Sequence, residues 1–320
     1  MSLPARAALL LAMLLPIGVM AARADSVAPP SAVADARAAL GRRLFYDADL
    51  SIDGTMACAT CHVQRRGFAD STRTHPGATG EPGRRNVPGL ANVGRRASLT
   101  WGDAGLRTLE AQALVPLLGE HPVEMAMRGQ EAELARRLGG NGCYVALFRA
   151  AFPEAEGRID IATVTQALGA FQRTLVSSAA PIDRHRAGDA DALPPQARIG
   201  ETLFRRGCAS CHGGADMTDD RFHRVADDRG PPGDRGLGEI TGRARDDGRF
   251  RTPSLRNVAV SAPYFHDGAS PTLADAIRRH RGMALADGEL AALTAFLETM
   301  TDAHFLSDPR FAYPDGPCEG

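Results

Sequence analysis

Cys58-Ala59-Thr60-Cys61-His62 and Cys208-Ala209-Ser210-Cys211-His212 are two copies of one pentapeptide, C-x-x-C-H, in a single chain. The pattern is the attachment signal of c-type haem. Two thiols three positions apart add to the two vinyl groups on one edge of a porphyrin, and the adjacent histidine swings under the ring to ligate the iron. Zinc is a poor alternative, because 146 residues lie between Cys61 and Cys208, far outside a zinc ribbon's spacing. A thioredoxin-like redox pair would need a βαβ unit that the pattern does not offer. The chain is therefore expected to carry two haem c groups, with Cys58, Cys61, Cys208 and Cys211 as thioether sites and His62 and His212 as iron ligands. Of the six cysteines, Cys143 and Cys318 remain; whether they pair is left open.

Export follows the same line. Arg6 precedes an almost wholly apolar run from Ala7 to Met20, and Ala22-Arg23-Ala24 offers a small-x-small cleavage site. The run is too short to span a bilayer comfortably. The expected product is a periplasmic protein, cleaved near Ala24, without a membrane span. A formal net charge of −1 over 320 residues offers no basic field, so nucleic acid is set aside as a partner.

The hydrophobic pattern is helical. Leu40, Leu44 and Phe45 form a stripe before the first motif, and Ile199, Leu203 and Phe204 form the same stripe before the second. Each is expected to open a cytochrome-c-like unit with its apolar face on a haem edge. In the first unit, residues 46–57 are inserted between helix and motif. Ile161, Val164, Leu168, Phe171 and Leu175 mark another helix, and Asp287 can cap one carrying Leu290, Leu293, Phe296 and Leu297. The fold class expected is mainly α: two cytochrome-c-like haem domains related by a degenerate internal repeat. The expected division is a signal segment at 1–24, an N-terminal haem domain at 25–183 and a C-terminal one at 184–320. The stretch 184–197 reads as the connection, and the Gly-, Asp- and Arg-rich 213–251 as a long ordered loop.

Between the motifs lie Trp101, Leu109-Glu110-Ala111-Gln112-Ala113 and Pro122-Val123-Glu124-Met125. After the second come Thr252-Pro253-Ser254-Leu255-Arg256-Asn257 and Ala262-Pro263-Tyr264-Phe265-His266-Asp267-Gly268. With these, nearly the whole mature chain resembles the bacterial dihaem cytochrome c peroxidase/MauG family. The closing Phe305-Leu306-Ser307-Asp308-Pro309-Arg310-Phe311 resembles the branch that includes the partner-oxidising MbnH. The resemblance implies that Gln112 and Glu124 stand over the open, peroxide-binding face of the first haem, with Glu124 as the acid–base group. Their 12-residue separation is longer than is usual in the family. It also implies Trp101 between the haems and a calcium ion held by Asn86 and the carbonyls of Ser261 and Pro263.

Two positions depart from the peroxidase pattern. His75 comes too early to cap the first haem, so it is expected at the surface and the first iron is expected open. At the second haem, His280 occupies the axial register where peroxidases carry methionine, with Met283 one turn further as its rival. Imidazole in place of thioether lowers the potential. The resemblance thus implies an enzyme that uses hydrogen peroxide to oxidise a periplasmic protein. A peroxidase drawing electrons from a small cytochrome c, or a dihaem electron carrier without catalysis, are the other readings.

Overall fold

Apolar residues at helical spacing build most of the regular structure, and caps and turn residues end it. A computed structural model describes residues 32–225, 233–280 and 284–316, with Met1 and Cys318; the expected signal segment, Ala7 to Ala24, lies outside them. In chain order the helices are α1 (Ala32–Phe45), α2 (Cys58–Cys61), α3 (Leu109–Leu118), α4 (Glu131–Gly139), α5 (Gly142–Ala151), α6 (Ile161–Thr174), α7 (Pro181–Arg186), α8 (Pro195–Gly207), α9 (Leu237–Thr241), α10 (Leu273–Arg279), α11 (Asp287–Glu298) and α12 (Ala303–Ser307). The only strands among the described residues, β1 (Phe222–His223) and β2 (Phe250–Arg251), pair antiparallel with Phe222 opposite Arg251. The mainly α class is met. Among the described residues no helix is long and apolar enough to cross a membrane.

Two crossed helix pairs organise Ala32–Gly320, which forms one compact unit. α1 packs on α6, and α8 packs on α11. Each crossing turns on a glycine. A Cβ at Gly41 would lie 1.8 Å from the Ala167 carbonyl oxygen, and one at Gly200 would lie 2.0 Å from that of Ala292. Without a side chain the backbones meet, and the phenylalanines four residues on lock together. Phe45 lies edge-on to Phe171 with ring centres 5.3 Å apart, and Phe204 lies 5.0 Å from Phe296. The partners are themselves a repeat: Ala167-Leu168-Gly169-Ala170-Phe171 against Ala292-Leu293-Thr294-Ala295-Phe296.

A third element repeats. Pro88-Gly89-Leu90-Ala91-Asn92-Val93 and Pro253-Ser254-Leu255-Arg256-Asn257-Val258 share the pattern P-x-L-x-N-V. Asn92 and Asn257 both take left-handed backbone, φ +57° and +59°, a conformation asparagine tolerates. Each donates its amide N–H to the carbonyl just after the closing helix: Asn92 to Leu175 at 2.8 Å, Asn257 to Met300 at 2.9 Å.

Two local expectations are corrected. Ile199 faces solvent at 60% exposure, since Gly200, Leu203 and Phe204 make the contact face of α8. Asp287 is the first helical residue of α11 and not its cap; the Ala286 N–H is satisfied instead by the Glu289 carboxylate at 3.0 Å. The expected connection 184–197 contains a non-helical link, residues 187–194, between the end of α7 at Arg186 and the start of α8 at Pro195.

Two apolar cores result, one around Leu40, Leu44, Phe148, Phe171 and Leu175, the other around Ile182, Phe204, Leu293, Phe296 and Met300. Phe305 and Phe311, from the end of the chain, belong to the first. That return is strapped down. Arg42 donates to the carbonyls of Ala312 (2.7 Å), Pro309 (2.8 Å) and Tyr313 (3.2 Å), and Arg43 to Gly316 (2.9 Å). Cys143 and Cys318 form a disulfide with Cα atoms 5.2 Å apart, which closes the question left by the sequence.

Candidate dihaem site

Both motifs hold their histidine in the same way. The His62 N–H donates to the Cys58 carbonyl at 2.9 Å, and His212 to Cys208 at 2.8 Å. The first motif forms its own turn, α2, after the 46–57 insertion; the second comes straight off α8, with Cys208 capping its end. His62 Nδ1 lies 2.7 Å from the Phe68 carbonyl oxygen, and His212 Nδ1 lies 3.3 Å from that of Met217. Phe68 and Met217 both have positive φ, which turns their carbonyls back to the ring. With Nδ1 tied to a carbonyl, Nε2 is left to meet iron. Burial depresses both histidines' affinity for protons, His212 to about 4 with His280 contributing, so each imidazole offers a free electron pair.

His280 caps the C-terminus of α10, and its Nδ1 lies 2.8 Å from the Ala276 carbonyl oxygen. Its ring centre stands 6.4 Å from that of His212. Two imidazole–metal bonds of about 2.0 Å, plus roughly 1.1 Å from each donor nitrogen to its ring centre, would require roughly 6.2 Å. The pair thus has the separation for one iron between two imidazoles. Met283 lies outside the described residues. His62, by contrast, has Phe45 as its ring neighbour at 6.3 Å, and among the described residues no imidazole stands opposite it.

A cavity of about 430 Å³ separates His212 from His280, lined also by Cys208, Cys211, Phe204 and Ile277. Its donors fit a haem. Arg96 lines the wall, and its Nη1 is buried without a hydrogen-bond partner, as an anchor for a propionate carboxylate requires. Asp219 and His223 pair at 2.8 Å with Cys211 nearby, but that thiol belongs to the attachment motif, so the trio makes no separate metal site.

Trp101 is buried in the wall of the same cavity. Its indole N–H donates to the Asn86 carbonyl at 2.8 Å, and its own carbonyl accepts from the Arg251 N–H at 2.9 Å. The indole lies edge-on to His266 at 6.5 Å, and His266 stacks on Phe250 at 3.4 Å. Arg85, paired with Asp234 at 2.6 and 2.9 Å, covers Phe250. The sequence hints at this stack only through the motif containing His266. Asn86, Ser261 and Pro263 all line the cavity; the Asn86 amide group donates to the carbonyls of Thr72 and Arg73 at 3.2 and 3.3 Å.

On the first haem's side, Glu124 is desolvated, which raises its pKa above the ordinary carboxylate range. Its charge is felt by the Cys58 and Cys61 thiols, which burial also pushes up to about 12. Glu124 therefore stands near the first attachment site. Gln112 lies half-buried on α3, and no hydrogen bond joins it to Glu124. His75 is half-buried at the surface, its side chain 24% exposed, with Nδ1 2.9 Å from Asp70, and it is close enough to oppose the rise in the Glu124 pKa. Its loop is zipped to the Glu124 segment: the Ala78 N–H donates to the Glu124 carbonyl at 2.7 Å, and a Cβ at Gly77 would lie 1.9 Å from the Val123 oxygen.

Comparison with known proteins agrees with this geometry. The family described as di-haem cytochrome c peroxidase matches residues 35–191. The chain is 35% identical, over 87% of its length and 82% of the relative, to methylamine utilization protein MauG of Methylorubrum extorquens. It is 33% identical to cytochrome c551 peroxidase of Pseudomonas aeruginosa, over 86% of the chain and 80% of the relative. Among solved structures it is similar to a MauG-like protein associated with microbial copper homeostasis, with TM-score 0.82 and 36% identity over 88% of this chain and 93% of that one. Two attachment motifs, the repeated helix pairs and these relatives together establish that the chain belongs to the dihaem cytochrome c peroxidase/MauG family and is a dihaem, peroxidase-type oxidoreductase.

Proposed function

We propose that this protein works in the periplasm, reduces hydrogen peroxide at the His62 haem and oxidises a partner protein. The observation that carries the reading is the His212–His280 pair, 6.4 Å apart with both Nδ1 atoms engaged by backbone. A haem held by His212 and His280 would lack the thioether that raises a haem's potential, and would then be a weak attractor of electrons from a cytochrome donor. Haems held by Cys58, Cys61 and His62 and by Cys208, Cys211 and His212 would supply the redox chemistry. The protein's own part is protonic. Glu124 takes the proton from one peroxide oxygen and returns it to the other, which leaves as water. Gln112 orients the peroxide or the carboxylate, and Trp101, fixed at both its indole N–H and its carbonyl, connects the two haem pockets.

Asn86 with the Ser261 and Pro263 carbonyls would hold calcium in the wall between the haems. These are neutral oxygen donors of the kind calcium accepts, and all three residues line one cavity. Chelation should then release one calcium per chain and broaden the low-spin haem signal. An unaltered spectrum with no calcium found by elemental analysis removes the site. Export accords with the apolar N-terminal run and with a disulfide, which persists in oxidising compartments.

The second reading, a peroxidase fed by a small cytochrome c, draws on the likeness to cytochrome c551 peroxidase. Stopped-flow mixing separates the two. One equivalent of peroxide should generate an oxidised state that persists without reductant, and reduced cytochrome c should support little steady-state turnover. Rapid turnover with cytochrome c and no lasting oxidised state would favour the second reading.

A further inference from the structure

An oxidant made in a buried pocket needs a route to a protein too large to enter it. Trp101, the chain's only tryptophan, is buried and points inward, so it offers no exit. A different line of rings reaches the surface from the first haem's ligand. His62 lies 6.3 Å from Phe45, Phe45 lies edge-on to Tyr46 at 5.5 Å, and Tyr46 lies edge-on to Tyr313 at 5.7 Å. Tyr313 is 66% exposed. We propose that Tyr46 and Tyr313 form the exit through which oxidising equivalents leave the first haem site, with Tyr313 as the residue a protein substrate must touch. The proposal rests on the partner-oxidising reading above.

The chemistry of the two phenols differs in the direction needed. Tyr46 is partly buried, and its hydroxyl donates to the Phe311 carbonyl at 2.7 Å, an acceptor that cannot take the proton away. Burial pushes its pKa up to about 12. Tyr46 therefore lacks a ready acceptor for its phenolic proton, which makes it a relay for the hole and a poor place for it to rest. Tyr313 faces water and sheds its proton on oxidation, so the hole settles there. Reduction of one peroxide to two waters takes two electrons and two protons. Each Tyr313 oxidation sends one electron inward by way of Tyr46 and one proton to solvent. A partner side chain then returns one electron and one proton to the phenoxyl, and two passes complete the turnover.

Exposure without rigidity would make a poor contact, and here the exposed ring is held. Arg42 grips the carbonyls of Pro309, Ala312 and Tyr313, Arg43 grips Gly316, and the Cys143–Cys318 disulfide anchors the segment beyond. No stabilising role of the Tyr313 hydroxyl toward the fold explains this arrangement, since the straps act on backbone.

The test uses the two-haem protein, hydrogen peroxide and freeze-quench electron paramagnetic resonance, with the haem spectrum followed in parallel. Tyr313→Phe keeps the ring contact and removes only the oxidisable phenol; Tyr46→Phe interrupts the route. Both should retain two covalent haems, the resting spectrum and the unsubstituted rate of reaction with peroxide. A tyrosyl signal should form in the unsubstituted protein and be lost in both variants, and a spin trap should label the peptide holding Tyr313. A normal haem reaction with a tyrosyl signal that survives Tyr313→Phe, or with no tyrosyl signal at all, overturns the exit alone. No haem change with peroxide in the unsubstituted protein overturns the exit and the peroxidase reading together.

Discussion

Glu124 is a half-buried carboxylate whose pKa desolvation raises, and two consequences follow. Glu124→Gln should slow the peroxide-driven spectral change by about 10²- to 10⁴-fold with both haems retained, because an amide cannot accept the proton. An undiminished rate would remove the residue from the chemistry. The pH profile carries a sign. Burial raises the Glu124 pKa, so the proton-accepting form is full above that pKa and is lost as pH falls through it. The rate should decline on the acid side with a midpoint above the ordinary carboxylate value of about 4.3. His75 opposes the shift, so His75→Gln should move that midpoint to higher pH. At the other haem, His280→Ala should convert the low-spin signal to high-spin, and Met283→Ala should leave it in place. The reverse pattern makes Met283 the ligand and removes the main support for partner oxidation.

At the scale of elements, the molecule is a helix pair, an attachment motif and a P-x-L-x-N-V turn, used twice. Gly200→Ala would place a methyl group 2.0 Å from a backbone oxygen and 2.8 Å from the Phe296 Cβ. Neither neighbour is a flexible side-chain end, so the crossing must open. The cost should be about 1–3 kcal/mol or more, read as a lower denaturation midpoint of the haem-loaded protein. Gly142→Ala, with open space around the added carbon, is the control. The attachment motifs and the opening helices were legible because covalent chemistry and helical periodicity both act over contiguous residues. That His280 would face His212 came instead from the family resemblance, by its register 17 positions after Pro263. What was not legible depends on distant partners. Ile199 fits the apolar stripe, yet its neighbour Gly200 claims the contact face; His75 finds Asp70; Tyr46 finds Tyr313, 267 positions away. The A-L-x-A-F and P-x-L-x-N-V repeats were present as letters, but without the crossings they lack a reason to be aligned.

Taken whole, the protein ties its end to its first half. The Cys143–Cys318 disulfide spans 175 positions. Removing it as Cys143→Ser with Cys318→Ser should lower stability by about 2–4 kcal/mol, measured by denaturant with haem content unchanged. An unchanged midpoint would mean that the arginine straps suffice. Phe305 and Phe311 complete the first core although they follow every helix of the second. The core nearest the beginning is thus the last that can be sealed. A chain made from its N-terminus must keep Leu40, Leu44 and Phe45 waiting until nearly all of it has appeared, whereas the second half has its apolar partners within residues 180–300. Loop closure over such distances is slow relative to local helix formation. The order of maturation should therefore run against the order of synthesis, with the first half still open to haem loading after the other half has closed.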